Sequence, residues 1–255
     1  LSVGAVKMFR DGSLGGRTAL LREGYMPDQK NHGLEWHSME EIRSYLALAK
    51  QYGIPVVIHV IGDGAVESVL EAFEEVQENG KNENRNALIH CQITDKALLN
   101  RIQKDDILVY AQPIFIDYDR TIVEPLCGKE LASTSYAFGT LLKNGVHLSY
   151  GTDCPVESCN PFPNLYTAIT RKGLDGQPEG GFHAEECVDR ETAIDAYTYE
   201  SAYAEFLEDR KGRIQEGYYA DLVLLDTDIF TCEEEKIPGI LSDLTMVRGE
   251  IVYER

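Results

Sequence analysis

The six cysteines of this 255-residue chain include no C-x-x-C pair, and no Asn-x-Ser/Thr acceptor occurs. A chain this long needs no disulfide staples, so the cysteine pattern excludes a small secreted scaffold and points to a reducing cytoplasm. Positive charge is scarce. Against 43 acidic residues stand 24 basic ones, with no Lys/Arg cluster and a formal net charge of −19. That excludes a phosphate-tracking face and makes nucleic acid and anionic membranes poor partners. No apolar run approaches the roughly 20 residues of a membrane span. Neither a G-x-S-x-G elbow nor a G-x-G-x-x-G or G-x-x-x-x-G-K-[ST] loop is present, which argues against a covalent serine hydrolase and the common nucleotide folds.

What is present is a rhythm. Short apolar runs alternate with helical patterns: "VGAVKMF" from Val3, "IPVVIHV", "NALIHCQ", "ILVYAQP" and "VHLSYGTD" read as strands. Between them lie "SMEEIRSYLALAKQYG", a helix from Ala65 to about Glu78, "DKALLNRIQKDD" and "SYAFGTLLKNG". In the first helix Ser38 stands as N-cap, Glu41 at the capping-box position and Gly53 past the end. Five β–α repeats in order predict a parallel sheet with crossover helices, in an α/β fold. A long connection follows Asp153, then the helical run "RETAIDAYTYESAYAEFL". From about Lys211 short strands with Gly turns, "KGRIQEGYYADLVLLDTD" and "LTMVRGEIVYER", read as a small β appendage. The predicted division is therefore 1–210 and 211–255.

Polar residues separate the two architectures that fit. Lys7, His59, His90 and Asp153 each sit at or near the C-terminal end of a predicted strand. In a (β/α) barrel those ends converge on one mouth; an open sheet gathers its site mainly at a switch point. Four contributing strands favour the barrel, and five strands are too few to close one. Singly, each residue has an ordinary reading: an edge lysine, a hydrogen-bonded core histidine, a turn-capping aspartate. Together, two imidazoles, a carboxylate and a lysine suit a divalent metal, zinc above all, with one position kept for water. A protonated amine is a poor ligand, so Lys7 would serve only if carbamylated by CO₂.

The stretches "VKMFRDGSLGGRTALL", "VVIHVIGDGAV", "LIHCQ", "SYGTDCPV" and "KGRIQEGYYADLVLLD…VRGEIVYE" resemble the amidohydrolase superfamily, most closely the subgroup of metal-dependent hydrolases that includes N-substituted formamide deformylases. The resemblance covers nearly the whole chain. It implies a (β/α)8 barrel, here its C-terminal part (strands 4–8), with part of a small β-sandwich. It implies one or two metal ions, a small-molecule substrate and hydrolysis of a non-peptide C–N bond. Position by position, Lys7 matches the strand-four lysine, often carbamylated; His59 and His90 match the strand-five and strand-six ligands. Asp153 matches the strand-eight aspartate that takes the proton of the attacking water. A non-catalytic barrel relic, or a deaminase or esterase of the same superfamily, is the alternative. Homo-oligomerisation is left open by the sequence.

One element of the family pattern is missing. The His-x-His pair of strand one has no counterpart, and an upstream continuation of the polypeptide is the expectation for it. His32, His37, His147 and His183 read as structural or surface residues. "DGSLGGR" reads equally as a tight turn or as a pocket wall in which Asp11, Ser13 or Arg17 orients substrate; Gln112 is a further pocket candidate. Asp63 in "IGDGA" reads as a helix N-terminal anchor.

Overall fold

The computed structural model describes residues 4–77 and 81–255. The predicted strand start at Val3 and helix end at Glu78 lie outside the described residues. Strands β1 (Val6–Phe9), β2 (Val56–Val60), β3 (Ala87–His90), β4 (Leu108–Ala111) and β5 (Leu148–Tyr150) form one five-stranded sheet in the order β1-β2-β3-β4-β5. Neighbours in sequence are thus neighbours in the sheet. The ladders of β1 to β4 are parallel, with Phe9 opposite His59 and Val60 opposite His90. Strands β2 and β3 read VVIHV and ALIH, and all but His59 are buried. Near-continuous apolar strands of this kind are what a parallel sheet covered on both faces requires.

Helices α1 (Met39–Tyr52), α2 (Asp63–Val76) and α3 (Lys96–Lys104) are the crossovers between β1 and β4. The capping box of α1 forms as the sequence predicts. Ser38 Oγ accepts the Glu41 amide at 3.2 Å, the Glu41 carboxylate accepts the Ser38 amide at 2.8 Å, and Gly53 closes the helix at φ 61. Asp63 opens α2, with both carboxylate oxygens on Arg22. Asp95 caps α3 through the Leu98 amide. Three helices follow: α4 (Ile116–Asp119), α5 (Val123–Ala132) and α6 (Phe138–Lys143).

The chain gathers into two compact units, Leu1–Ala111 with Tyr118–Leu148, and Gln112–Asp117 with Ser149–Arg255. In the second unit the connection after Asp153 is not an irregular loop. It holds α7 (Pro161–Thr170), whose Asn160 accepts the Phe162 amide at 3.1 Å and whose Pro161 occupies a position with no amide to satisfy. The single helical run predicted from Arg190 is two helices, α8 (Arg190–Tyr197) and α9 (Tyr199–Ala204), parted at Thr198 (φ −112, ψ −76). The small antiparallel sheet follows as β6 (Leu222–Leu225), β7 (Ser242–Val247) and β8 (Glu250–Glu254) in that order.

Candidate active site at the strand ends

The first unit brings two of the predicted residues into contact. The His59 and His90 rings meet edge to face with centroids 4.4 Å apart. Regular strand alternation would forbid this. His59 pairs with Ile89, and His90 with Val60, so an extended His90 would point to the face opposite His59. His90 instead has φ 74, and Cys91 after it φ 49. A left-handed backbone at the last strand residue turns the His90 side chain back toward His59. For a residue with a Cβ that conformation costs roughly 1–2 kcal/mol, a strain of the kind that gathers at functional sites.

His59 is held from the other side. Its Nε2 lies 2.9 Å from the Gly12 carbonyl and 3.6 Å from Asp11 Oδ1. A carbonyl oxygen can only accept, so Nε2 carries the proton. Phe9 packs on the His59 ring at 5.1 Å, and the Lys7 ammonium sits over Phe9 at 4.8 Å. Lys7, Phe9, His59 and His90 thus form a row across three strands.

The other candidates are placed as follows. Asp11 is wholly buried, and its oxygens accept the amides of Leu20, Ile61 and Gly62 at 2.8–3.0 Å. Burial pushes its carboxyl up to about 7, opposed by those three amides and by Arg10. Ser13 shapes a turn: its Oγ accepts the Gly16 amide at 3.2 Å. Arg17 is exposed at φ 53. Gln112 is buried just past β4, its carbonyl accepting the Phe115 amide at 3.1 Å. In the second unit Asp153 is exposed at φ 55, and its carbonyl closes a turn with the Val156 amide at 2.9 Å. Asn164 on α7, wholly buried, steadies the segment before it, donating to the Gly151 carbonyl at 3.0 Å and bonding the Tyr197 hydroxyl.

His32 and His37 have backbone partners, the carbonyls of Leu21 at 3.0 Å and Phe9 at 2.8 Å. His183 stacks on Phe182 at 4.1 Å. Two residues of the "LIHCQ" stretch went unremarked in the sequence. Cys91 is buried beside His90, and burial pushes its thiol up to about 12. Gln92 is buried with no hydrogen-bond partner for its Oε1; a glutamine two residues past a strand-end histidine is the signal that would have found it.

Two imidazoles in contact suit a divalent metal, but a catalytic zinc site takes three protein ligands. Among the described residues no group of three or more His, Cys, Asp or Glu side chains is placed to hold one. Residues 1–253 match the family model described as "Amidohydrolase family". The chain belongs to the amidohydrolase family.

Relatives in this family extend the comparison. The chain is 35% identical over 252 residues to the putative amidohydrolase YtcJ of Bacillus subtilis, covering 99% of this chain and 47% of that protein. It is 26% identical over 228 residues to the N-substituted formamide deformylase of Arthrobacter pascens, covering 89% of this chain and 42% of the deformylase. A solved structure described as an uncharacterized metal-dependent hydrolase from Pyrococcus horikoshii superposes with a TM-score of 0.80 at 31% identity, over 91% of this chain and 46% of that one. This amidohydrolase chain therefore spans about half the length, or less, of the curated relatives it matches. No helix among its described residues is long and apolar enough to cross a membrane.

Proposed function

We propose that this amidohydrolase chain carries part of a metal centre that hydrolyses a non-peptide carbon–nitrogen bond of amide type in a small molecule. The observation that carries the reading is the His59–His90 pair, two imidazoles turned toward each other at adjacent strand ends by a left-handed residue. The sheet order supports a (β/α) barrel with the pair at its mouth, and the antiparallel β6–β8 sheet supports part of a β-sandwich.

In this reading His59 and His90 would hold the metal, zinc in the first instance, with Asp153 and a carbamylated Lys7 as anionic ligands for one ion or two. The bound metal supplies an activated water and a polarised carbonyl. Asp153 accepts the proton of the attacking water and passes it to the leaving nitrogen. Asp11 holds the wall of the pocket, Ser13 and Arg17 border it, and Gln112 lines it from β4. The protein is expected in the cytoplasm.

The experiment compares Asp153→Asn with wild type in the whole encoded protein, over a panel of amide substrates, with metal content and melting measured beside turnover. Asn keeps the shape and cannot take the proton, so turnover should fall by about 10²–10⁴-fold while melting changes little. Near-normal turnover with metal retained would remove Asp153 from the mechanism. A wild-type protein that takes up no metal would instead support a non-catalytic barrel.

A further inference from the structure

We propose that Asp11 is a positioning residue for His59: it clamps the segment after β1 onto the end of β2, so that the Gly12 carbonyl holds His59 as the Nε2–H tautomer, the form that binds a metal through Nδ1. This rests on the reading of His59 as a metal ligand.

The clamp is visible bond by bond. Asp11 Oδ1 accepts the Ile61 amide at 3.0 Å, and Oδ2 accepts those of Gly62 at 2.8 Å and Leu20 at 2.9 Å. Ile61 and Gly62 directly follow β2, two and three residues beyond His59. One buried carboxylate therefore ties three points of backbone: its own segment after β1, the end of β2, and Leu20 at the far side of the intervening turn. The Gly64 amide, donating to the Leu20 carbonyl at 3.0 Å, adds a fourth tie. Packing leaves no slack. A Cβ at Gly12 would stand 2.1 Å from Thr18 Oγ1, and one at Gly62 would stand 2.0 Å from the Leu20 carbonyl oxygen. The Gly12 carbonyl is thus held where it meets Nε2 at 2.9 Å, with Asp11 Oδ1 3.6 Å from the same nitrogen. A ligating histidine whose other ring nitrogen donates to a carbonyl or carboxylate has its tautomer and ring orientation fixed, and loss of such a partner typically costs about 10–100-fold in metal affinity.

Asp63 provides the control. It is equally buried, sits two residues past Ile61, and holds Arg22 by its amide at 3.1 Å and its Nε at 2.6 Å. It is a fastener of the same region that acts through Arg22.

The test records ¹⁵N ring spectra of the metal-free whole protein, assigns His59 by its disappearance in His59→Gln, and titrates Zn²⁺ against a competing chelator. Wild type should show His59 protonated at Nε2 and not at Nδ1. Asp11→Asn should mix the tautomers and weaken Zn²⁺ binding by about 10–100-fold. Asp63→Asn should lower the melting temperature and leave both readouts unchanged. Should Asp11→Asn not fold, Asp11→Glu, which keeps the charge but displaces the oxygens, carries the same comparison. A wild-type His59 protonated at Nδ1, or an Asp11 variant with unaltered tautomer and Zn²⁺ affinity, overturns the proposal. A wild type with the Nε2–H tautomer and no Zn²⁺ uptake overturns the metal reading and supports only the hold of Asp11 on the ring.

Discussion

Strands β3 and β8 are built from similar apolar residues and live in opposite surroundings. Every residue of β3, ALIH, is buried; every residue of β8, EIVYE, is exposed, with Val252 at 60%. Valine and isoleucine do not choose burial by themselves. The parallel strands are apolar on successive residues because helices can cover both faces of such a sheet. In the small antiparallel sheet apolar residues of β6 and β8 stay open in this chain, Val223 and Leu224 included. The comparison also marks the chemistry. Along β2 and β3 the single position that is not buried is His59. A strand otherwise closed to water admits it at one imidazole.

If that contrast is real, energetic cost should track it. The largest loss is expected for Arg22→Ala. Arg22 holds Asp63, which is 1% exposed, at 2.6 Å and Asp95 at 2.5 Å. Leaving a buried carboxylate without its cation costs about 3–5 kcal/mol. Leu88→Ala in β3 comes next, at about 2–5 kcal/mol for a fully buried leucine. Ser38→Ala removes the cap of α1 and should cost about 1 kcal/mol. Val252→Ala in β8 should fall within about 0.5 kcal/mol, as surface changes do. Urea midpoints at constant m-value measure all four. A Val252→Ala loss as large as that of Leu88→Ala would mean that the small sheet is covered in solution, and the contrast would be lost. Amide exchange sharpens it further: Ile58 and Leu88 should exchange only with global opening, Val252 much sooner.

Much of this was readable from the residues, and the exceptions have physical causes. The Ser38–Glu41 box and Gly53 announced α1 because capping chemistry is local. The strands carrying Lys7, His59 and His90 could be placed by apolar run length alone, although Lys7 is the second residue of β1 and not its end. Helix α7 was hidden by Pro161 and Pro163, which read as loop although proline is at home in a first helical turn. The break at Thr198 carries no Gly or Pro to betray it. The left-handed turn of His90 had only a weak local signal, the modest tolerance of histidine for positive φ. Asp11 showed the same limit from the other direction. Its partners Ile61 and Gly62 lie some fifty residues away, so a sequence reading could see a polar loop residue but not the three amides that occupy it.

The glycine-rich stretch from Gly12 to Leu20 invites reading as a flexible flap over the site. Its contacts make it the reverse. Gly12 and Gly62 are glycines because backbone and side-chain oxygens crowd them, not because the chain must bend there. Swinging this stretch outward would break the three Asp11 bonds at once and strip His59 of its carbonyl. It is masonry and not a door. Opening and closing movements, which limit turnover in many enzymes, find no hinge between Gly12 and Leu20.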